Sequence, residues 1–401
     1  MMQRGTFPVS KLIVFMLYIL GFTSSPSILR AFSWVLPEVT AIIFIVTTIL
    51  YSRIILDRLS FTIIFLILLS LISVFAVHRL SSGEATNSAL IGIISLYMLL
   101  ISYPYIRNKL FRDTLLRYWS LIFTILSILT ILTFFLSYIA PDIFIDVNFK
   151  EIFPGNNRLY KIFITGLYVP ESMGEFTKNR MVGIMAEPSK MAIIFAINAY
   201  LGLLTKNNFF SKTFGWLNLL AGLTTFSTSY FVICVVVSII LLFKRSKVIF
   251  FTLSIPLFLF LFIYVESILQ ADPSVVESAL VTHTSYFNRE DRLFDFFEII
   301  SEYKIGLFFG LVWFDNEIFY YPSAVIYYIY TTGIIGFFAY SYIIWSYVRG
   351  AFLLLVILFL FSLTLAWQSY LLANLALIVV FSDKYSTELF KKRINNKDAL
   401  L

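Results

Sequence analysis

The sequence predicts an all-α polytopic membrane protein of about twelve transmembrane helices, and three observations lead there. Sixty per cent of the 401 residues are hydrophobic and 13% are charged, with a mean hydropathy of +0.89. A water-soluble domain has no means of covering that much apolar surface. Apolar runs of membrane-crossing length recur along the chain, separated by short charged connections. The net charge of +7 does not form a separate basic cluster for nucleic acid. Most Lys and Arg fall instead in short connections on one side, the bias that sets orientation in a cytoplasmic membrane.

In chain order the runs lie near 10–25, 31–51, 60–77, 87–105, 117–139, 181–205, 213–228, 230–243, 248–268, 321–346, 351–366 and 368–382. The first, behind Arg4 and Lys11, is similar to a signal peptide. No small-residue cleavage site follows it, and the topology needs this run as a span. The stretches 213–243 and 351–382 each exceed the roughly 20 residues of one crossing. Each therefore reads as a hairpin, turning at 227–229 and at 367–369. With twelve spans, Arg53, Arg58, Arg107, Arg112, Arg117, Lys206, Lys212, Lys244, Lys247, Arg349, Lys391 and Arg393 share one face, and both termini are cytoplasmic. Residues 1–401 then form one integral membrane domain in the lipid bilayer, with two large loops, 140–180 and 269–320, on the extracytoplasmic side. In the second, Leu293, Phe296, Phe297 and Ile300 recur at helical spacing and predict an interfacial amphipathic helix over 292–303. The lone Cys234 sits in an apolar run, excludes a disulfide and reads as a small buried residue.

Soluble-enzyme signatures are missing: no P-loop, GxGxxG, HExxH or GxSxG is present. The outer loops hold no Asp-x-Asp pair, so neither a metal nor another cofactor is expected. The richest segment is Arg180-Met181-Val182-Gly183 followed by Glu187-Pro188-Ser189, where a long polar loop turns into a span. Charge beside lipid is costly, so its presence there is informative. Pro188 suits the first turn of a helix and Glu187 its cap. If the chain before Pro188 is also helical, Arg180, Gly183 and Glu187 share one face. In either case a cation, a bare backbone and an acid converge at the outer surface.

Arg180, Arg289 and Arg292 offer planar forks that bind phosphate oxygens in pairs. A helix start beside them adds N–H groups and a positive dipole end. The same arginines can also pair with Glu187, Glu290 and Asp291 and anchor loops. Glu187 reads either as a general base or as a cap, and Asp291 either as a proton acceptor or as a counter-charge. His283 is the loop histidine that can face such a site. Tyr320, Tyr321, Tyr327, Tyr328 and Tyr330 suit either sugar rings or a membrane interface. Gly306, Gly310, Gly333 and Gly336 permit tight turns or close helix contact.

Three segments in order, Arg180-x-x-Gly183-x-x-x-Glu187-Pro188-Ser189-x-x-Ala192, then Arg292 with Gly306-x-x-x-Gly310, then Tyr327 to Gly333-x-x-Gly336, carry a resemblance. Over about residues 115–345 the chain resembles bacterial O-antigen polymerases, within the O-antigen ligase and polymerase superfamily of glycosyltransferase-C-like membrane enzymes. The resemblance implies an enzyme of the bacterial inner membrane that joins undecaprenyl-diphosphate-linked oligosaccharide repeat units at its periplasmic face. A polysaccharide chain-length regulator is a candidate partner. Carried over by position, Arg180, Arg289 and Arg292 would hold the donor diphosphate and stabilise the leaving group. Glu187 or Asp291 would orient or deprotonate the acceptor hydroxyl. Gly183, His283 and Tyr321 would line the substrate site. Ligases of the superfamily often carry His-Asn where this chain reads Pro322-Ser323, which favours polymerase over ligase. A lipid-linked oligosaccharide flippase is the reading from another class. Spans nearly free of charge and long, unequal outer loops without an internal repeat disfavour it.

Overall fold

The computed structural model describes residues 7–24, 36–51, 57–80, 84–148, 159–163, 166–173, 176–185, 187–205, 209–245, 298, 304, 306–310, 324–364 and 371–398. Among them the chain is mostly helical. Helices α1 (Phe7–Thr23), α2 (Leu36–Tyr51), α3 (Arg58–Leu80), α4 (Glu84–Tyr105) and α5 (Lys109–Ile139) come first. Strands β1 (Ile145–Asn148), β2 (Leu159–Phe163), β3 (Gly166–Met173) and β4 (Phe176–Met181) follow. Next are α6 (Pro188–Leu203), α7 (Lys212–Thr224), α8 (Thr228–Arg245) and the one-turn α9 (Gly306–Phe309). The chain then forms α10 (Ala324–Val348), α11 (Phe352–Thr364) and α12 (Leu371–Asp398). Every predicted span has a helix in its place except 248–268, which lies outside the described residues. Among the described residues, Arg58–Phe75 and Lys109–Ile139 are long and apolar enough to cross a membrane, while Val9–Thr23, Leu36–Leu50, Ile93–Tyr105, Pro188–Leu203, Ser229–Leu241 and Phe352–Ser362 are shorter apolar helices.

The helices sort by how their apolar residues are distributed. Residues 191–199 of α6 and 371–380 of α12 are buried without a break. A helix apolar on every side belongs at the centre of a bundle. Accordingly α12 packs against α1, α4, α5, α6 and α10, and α6 packs against α7, α8, α11 and α12. The C-terminal half of α5 is inverted relative to a water-soluble helix. Its inward positions are Ser127, Thr130, Thr133 and Ser137, while Leu121, Ile125, Ile128, Leu132 and Phe135 face outward. The Thr130 and Thr133 hydroxyls donate to the carbonyls of Leu126 and Leu129, four residues back. The polar groups are thus satisfied within the helix while its apolar side chains stay outside. Exposed Ile42, Ile43, Val46, Ile49 and Leu50 on α2, and Phe61, Leu68 and Phe75 on α3, repeat the pattern.

One departure from an all-α fold lies between α5 and α6. Strands β1 to β4 form an antiparallel meander in sequential order. The β2–β3 register runs from Phe163↔Gly166 to Lys161↔Tyr168 and stops two residues short of Pro170, which has no N–H to extend the ladder. Side chains alternate across the sheet. Phe144, Tyr168 and Met181 pack with Phe134 and Leu136 of α5 on one side. Tyr160, Leu167, Val169 and Val182 form a second small core on the other. Helix α5 has 31 residues, about 46 Å at 1.5 Å per residue, so its last turns extend far enough to carry the sheet.

Helix α10 is broken. Gly333 has φ 70° and ψ −176°, a backbone region essentially restricted to glycine. The break folds the two halves together, and Tyr328 stacks on Tyr340 at 4.2 Å between ring centroids. Helix α9 packs into the break. A Cβ on Gly333 would collide with the Phe308 carbonyl oxygen. The Ser73 hydroxyl of α3 donates to the Thr331 carbonyl at 2.6 Å, beside the interruption.

Candidate functional site

Arg180, Gly183 and Glu187 come together along one strand–turn–helix passage. The chain before Pro188 is a strand and a turn, so the three residues do not share a helical face. That alternative of the sequence reading is corrected by the sheet, because Arg180 is paired with Val169 inside β4. The ladder continues past β4 through the Val182 N–H to the Leu167 carbonyl at 3.1 Å. The chain then turns at Gly183, whose φ of +64° suits a residue without a Cβ. The turn closes with the Met185 N–H on the Val182 carbonyl at 3.3 Å.

Helix α6 starts where Pro188 predicts, with proline in its first turn and Glu187 at the cap in extended conformation. The cap does not form as the sequence suggested. The Glu187 carboxylate takes no backbone N–H of the first turn. It meets Lys190 Nζ at 3.1 Å, three residues along the helix. A lysine in the first turn also brings positive charge to the positive end of the helix dipole, where it partly offsets the carboxylate.

Arg180 is half-buried and donates from Nε to the Thr225 carbonyl at 3.3 Å. Its neighbour Asn179 is held from two directions. The backbone N–H donates to the Tyr138 hydroxyl at 3.2 Å, and the side-chain amide donates to the carbonyl and hydroxyl of Ser137, each at 3.2 Å. The last turn of α5 therefore fixes the strand that carries the arginine. Within the same sheet, burial pushes the Tyr168 phenol above its ordinary range, with the nearby Asp146 carboxylate adding to the effect.

Beneath the site a buried amide chain ties three helices together. Trp119 Nε1 of α5 donates to Asn198 Oδ1 of α6 at 2.7 Å, and Asn198 Nδ2 donates to Asn218 Oδ1 of α7 at 3.0 Å. Asn218 Nδ2 closes the chain on the Phe214 carbonyl at 2.9 Å. The sequence reading passed over these residues because a lone Asn in an apolar run does not reveal its partner. It also passed over the strained Phe226, φ 47°, in the turn that receives Arg180. A bulky side chain in the left-handed region is a tertiary imposition and leaves no mark in composition.

The remaining predicted site residues, His283, Arg289, Asp291, Arg292 and Tyr321, lie outside the described residues. So does the predicted helix over 292–303, apart from Glu298, which is helical and exposed. Tyr328 and Tyr330 are buried in the packing of α10 rather than displayed at a surface. Among the described residues no group of three His, Cys, Asp or Glu side chains is placed to hold a metal ion.

No family model, curated protein or solved structure matches this chain.

Proposed function

We propose that the chain is a membrane-embedded glycosyltransferase that polymerises undecaprenyl-diphosphate-linked repeat units at the periplasmic face of the bacterial inner membrane. The observation that carries this reading is Arg180. It is a cation on a sheet strand that Ser137 and Tyr138 hold through the neighbouring Asn179, its Nε donates to the Thr225 carbonyl, and one turn separates that strand from the start of the central helix α6. The inverted face of α5 and the apolar outer faces of α2 and α3 support burial in lipid, which would cover surface that water would not. The twelve-span topology, with both termini cytoplasmic and two large periplasmic loops, belongs to the same proposal.

In this mechanism the acceptor sugar hydroxyl attacks the anomeric carbon of the donor chain. The new glycosidic bond forms there as the bond to the diphosphate oxygen breaks. Undecaprenyl diphosphate leaves with the bonding electron pair, and Arg180, with Arg289 and Arg292, stabilises its charge. The hydroxyl proton passes to a carboxylate, Glu187 or Asp291.

The break in α10 favours a second reading. Interrupted helices packed against a one-turn helix are also how transporters build sites within the membrane, so a lipid-linked oligosaccharide flippase is the alternative. Deletion of the gene, with a gel of surface lipopolysaccharide and analysis of the lipid-linked pool, separates the readings. Core bearing one repeat unit without a ladder is expected for the polymerase. Bare core with long polymer on the carrier indicates a ligase, bare core with single repeats indicates a flippase, and an unchanged ladder removes all three.

A further inference from the structure

The turn joining α7 to α8 is more constrained than a connector between two helices requires. The Thr225 hydroxyl donates to the Gly222 carbonyl at 2.7 Å and accepts from the Ser227 N–H at 3.4 Å. Between these two residues Phe226 is held in the left-handed region, at φ 47°. Nothing about a helix hairpin calls for a bulky residue in that conformation. Its ring explains how the conformation is kept. The centroid lies 5.9 Å from that of Phe134 and 6.3 Å from that of Phe231, so the ring is wedged between α5 and α8.

Phe134 belongs to the same last turns of α5 that hold β4. Its ring meets Tyr138 at 5.2 Å, and the Tyr138 hydroxyl accepts the Asn179 N–H. Both ends of the Arg180–Thr225 bond therefore rest on one support. The strand fixes where the arginine begins, and the wedged turn fixes the carbonyl that receives its Nε. An Nε–H donates in the plane of the guanidinium, so the acceptor's position sets the orientation of that plane. Bidentate recognition of phosphate depends on that orientation more than on charge.

We propose that the 225–227 turn positions Arg180 for a diphosphate, with Phe226 as the positioning residue that acts through the Thr225 carbonyl. The inference rests on the reading of Arg180 as the diphosphate-binding cation. It adds a third element, remote in sequence from both outer loops, that determines how well that cation binds.

The test is a double-substitution cycle on the purified full-length protein in nanodiscs, titrated with undecaprenyl diphosphate, with thermal stability recorded for each variant. Phe226→Gly keeps the left-handed backbone accessible and removes the wedge, and Phe226→Tyr keeps the ring. Arg180→Lys keeps charge but cannot make the paired contact. Phe226→Gly and Arg180→Lys should each weaken binding about tenfold, and the double variant about tenfold rather than about a hundredfold, because the two act on one contact. Phe226→Tyr should bind within about twofold of wild type, since it keeps the ring that is wedged between Phe134 and Phe231.

A hundredfold loss in the double variant would show that Phe226 does not act through Arg180. Full binding by Phe226→Gly, or no binding of undecaprenyl diphosphate by wild type, also overturns the proposal. Because the polymerase reading is judged separately by the lipopolysaccharide ladder, failure of one is distinguishable from failure of the other.

Discussion

Asn198→Leu tests whether the buried amide chain sets the position of α6. Asn198 is fully buried and takes part in two hydrogen bonds, from Trp119 Nε1 at 2.7 Å and to Asn218 Oδ1 at 3.0 Å. Leucine has the same number of side-chain heavy atoms, branched at the same position, so no cavity is opened and the change mainly reports the polar contribution. Buried hydrogen bonds between helices in a membrane contribute about 0.6 kcal/mol on average and up to about 1.7 kcal/mol. Two lost bonds therefore predict a destabilisation of about 1–3 kcal/mol, with the upper end applying if the Trp119 N–H and Asn218 oxygen are left without partners.

Unfolding of the purified protein by SDS titration in mixed micelles measures this directly. Trp119→Phe removes one bond and leaves the Asn198–Asn218 bond in place, but Trp119 is fully buried, so its cost also carries a cavity term and is read within a double-variant cycle. The double variant should fall short of the sum, because the Trp119–Asn198 bond is counted in both single changes. An Asn198→Leu protein with unchanged midpoint, or strict additivity with Trp119→Phe, would refute the argument that this chain is cohesive.

Four further outcomes are expected. Gly333→Ala should lower the free energy of unfolding by at least the roughly 1–3 kcal/mol of a disallowed backbone, since its Cβ would collide with the Phe308 carbonyl oxygen; wild-type stability would mean the break in α10 is not required. Arg180→Lys should reduce polymer synthesis in cells at normal protein level, because a point charge cannot replace a planar fork; a full ladder would assign Arg180 to loop anchoring. Polymerisation by purified protein should survive EDTA, since arginines are proposed to hold the diphosphate; loss restored by Mg²⁺ would sink that assignment. Asp57 supplies the acid-limb prediction. Burial by itself would raise its carboxyl, but the Ser60 N–H at 2.8 Å, the Ser60 and Tyr103 hydroxyls and the Arg107 charge hold it below the usual range. Its stabilisation is then present above the ordinary carboxylate value of about 3.9 and lost as pH falls through the lower folded value. The thermal midpoint measured from pH 6 to pH 3 should fall less steeply in Asp57→Asn than in wild type, and parallel curves would contradict it.

Particular residues show where sequence reasoning sufficed. Pro188 marked the start of α6 correctly, because a fixed φ and a missing N–H are local properties. The polar residues at 227–229 marked the break between α7 and α8 within two residues, because a hairpin must turn where apolar residues run out. Glu187 was less legible. Its position at the cap was readable, but whether the carboxylate takes a backbone N–H or Lys190 is a competition between neighbours that spacing does not decide.

The strands escaped notice for a different reason. Segments such as Phe176–Met181 are short and mixed in polarity, and their hydrogen bonds go to another segment rather than to themselves. The register that places Arg180 opposite Val169 exists only after the chain has folded back.

By itself, then, the sequence determined the helices and their order. Each helix satisfies its own backbone and announces itself by an apolar run. Only the tertiary structure decided which helices occupy the centre, where Asn198 finds Trp119, how α10 breaks around α9, and what receives Arg180. Those outcomes depend on contacts between residues far apart in the chain, whose energies are comparable to one another and are resolved only by packing.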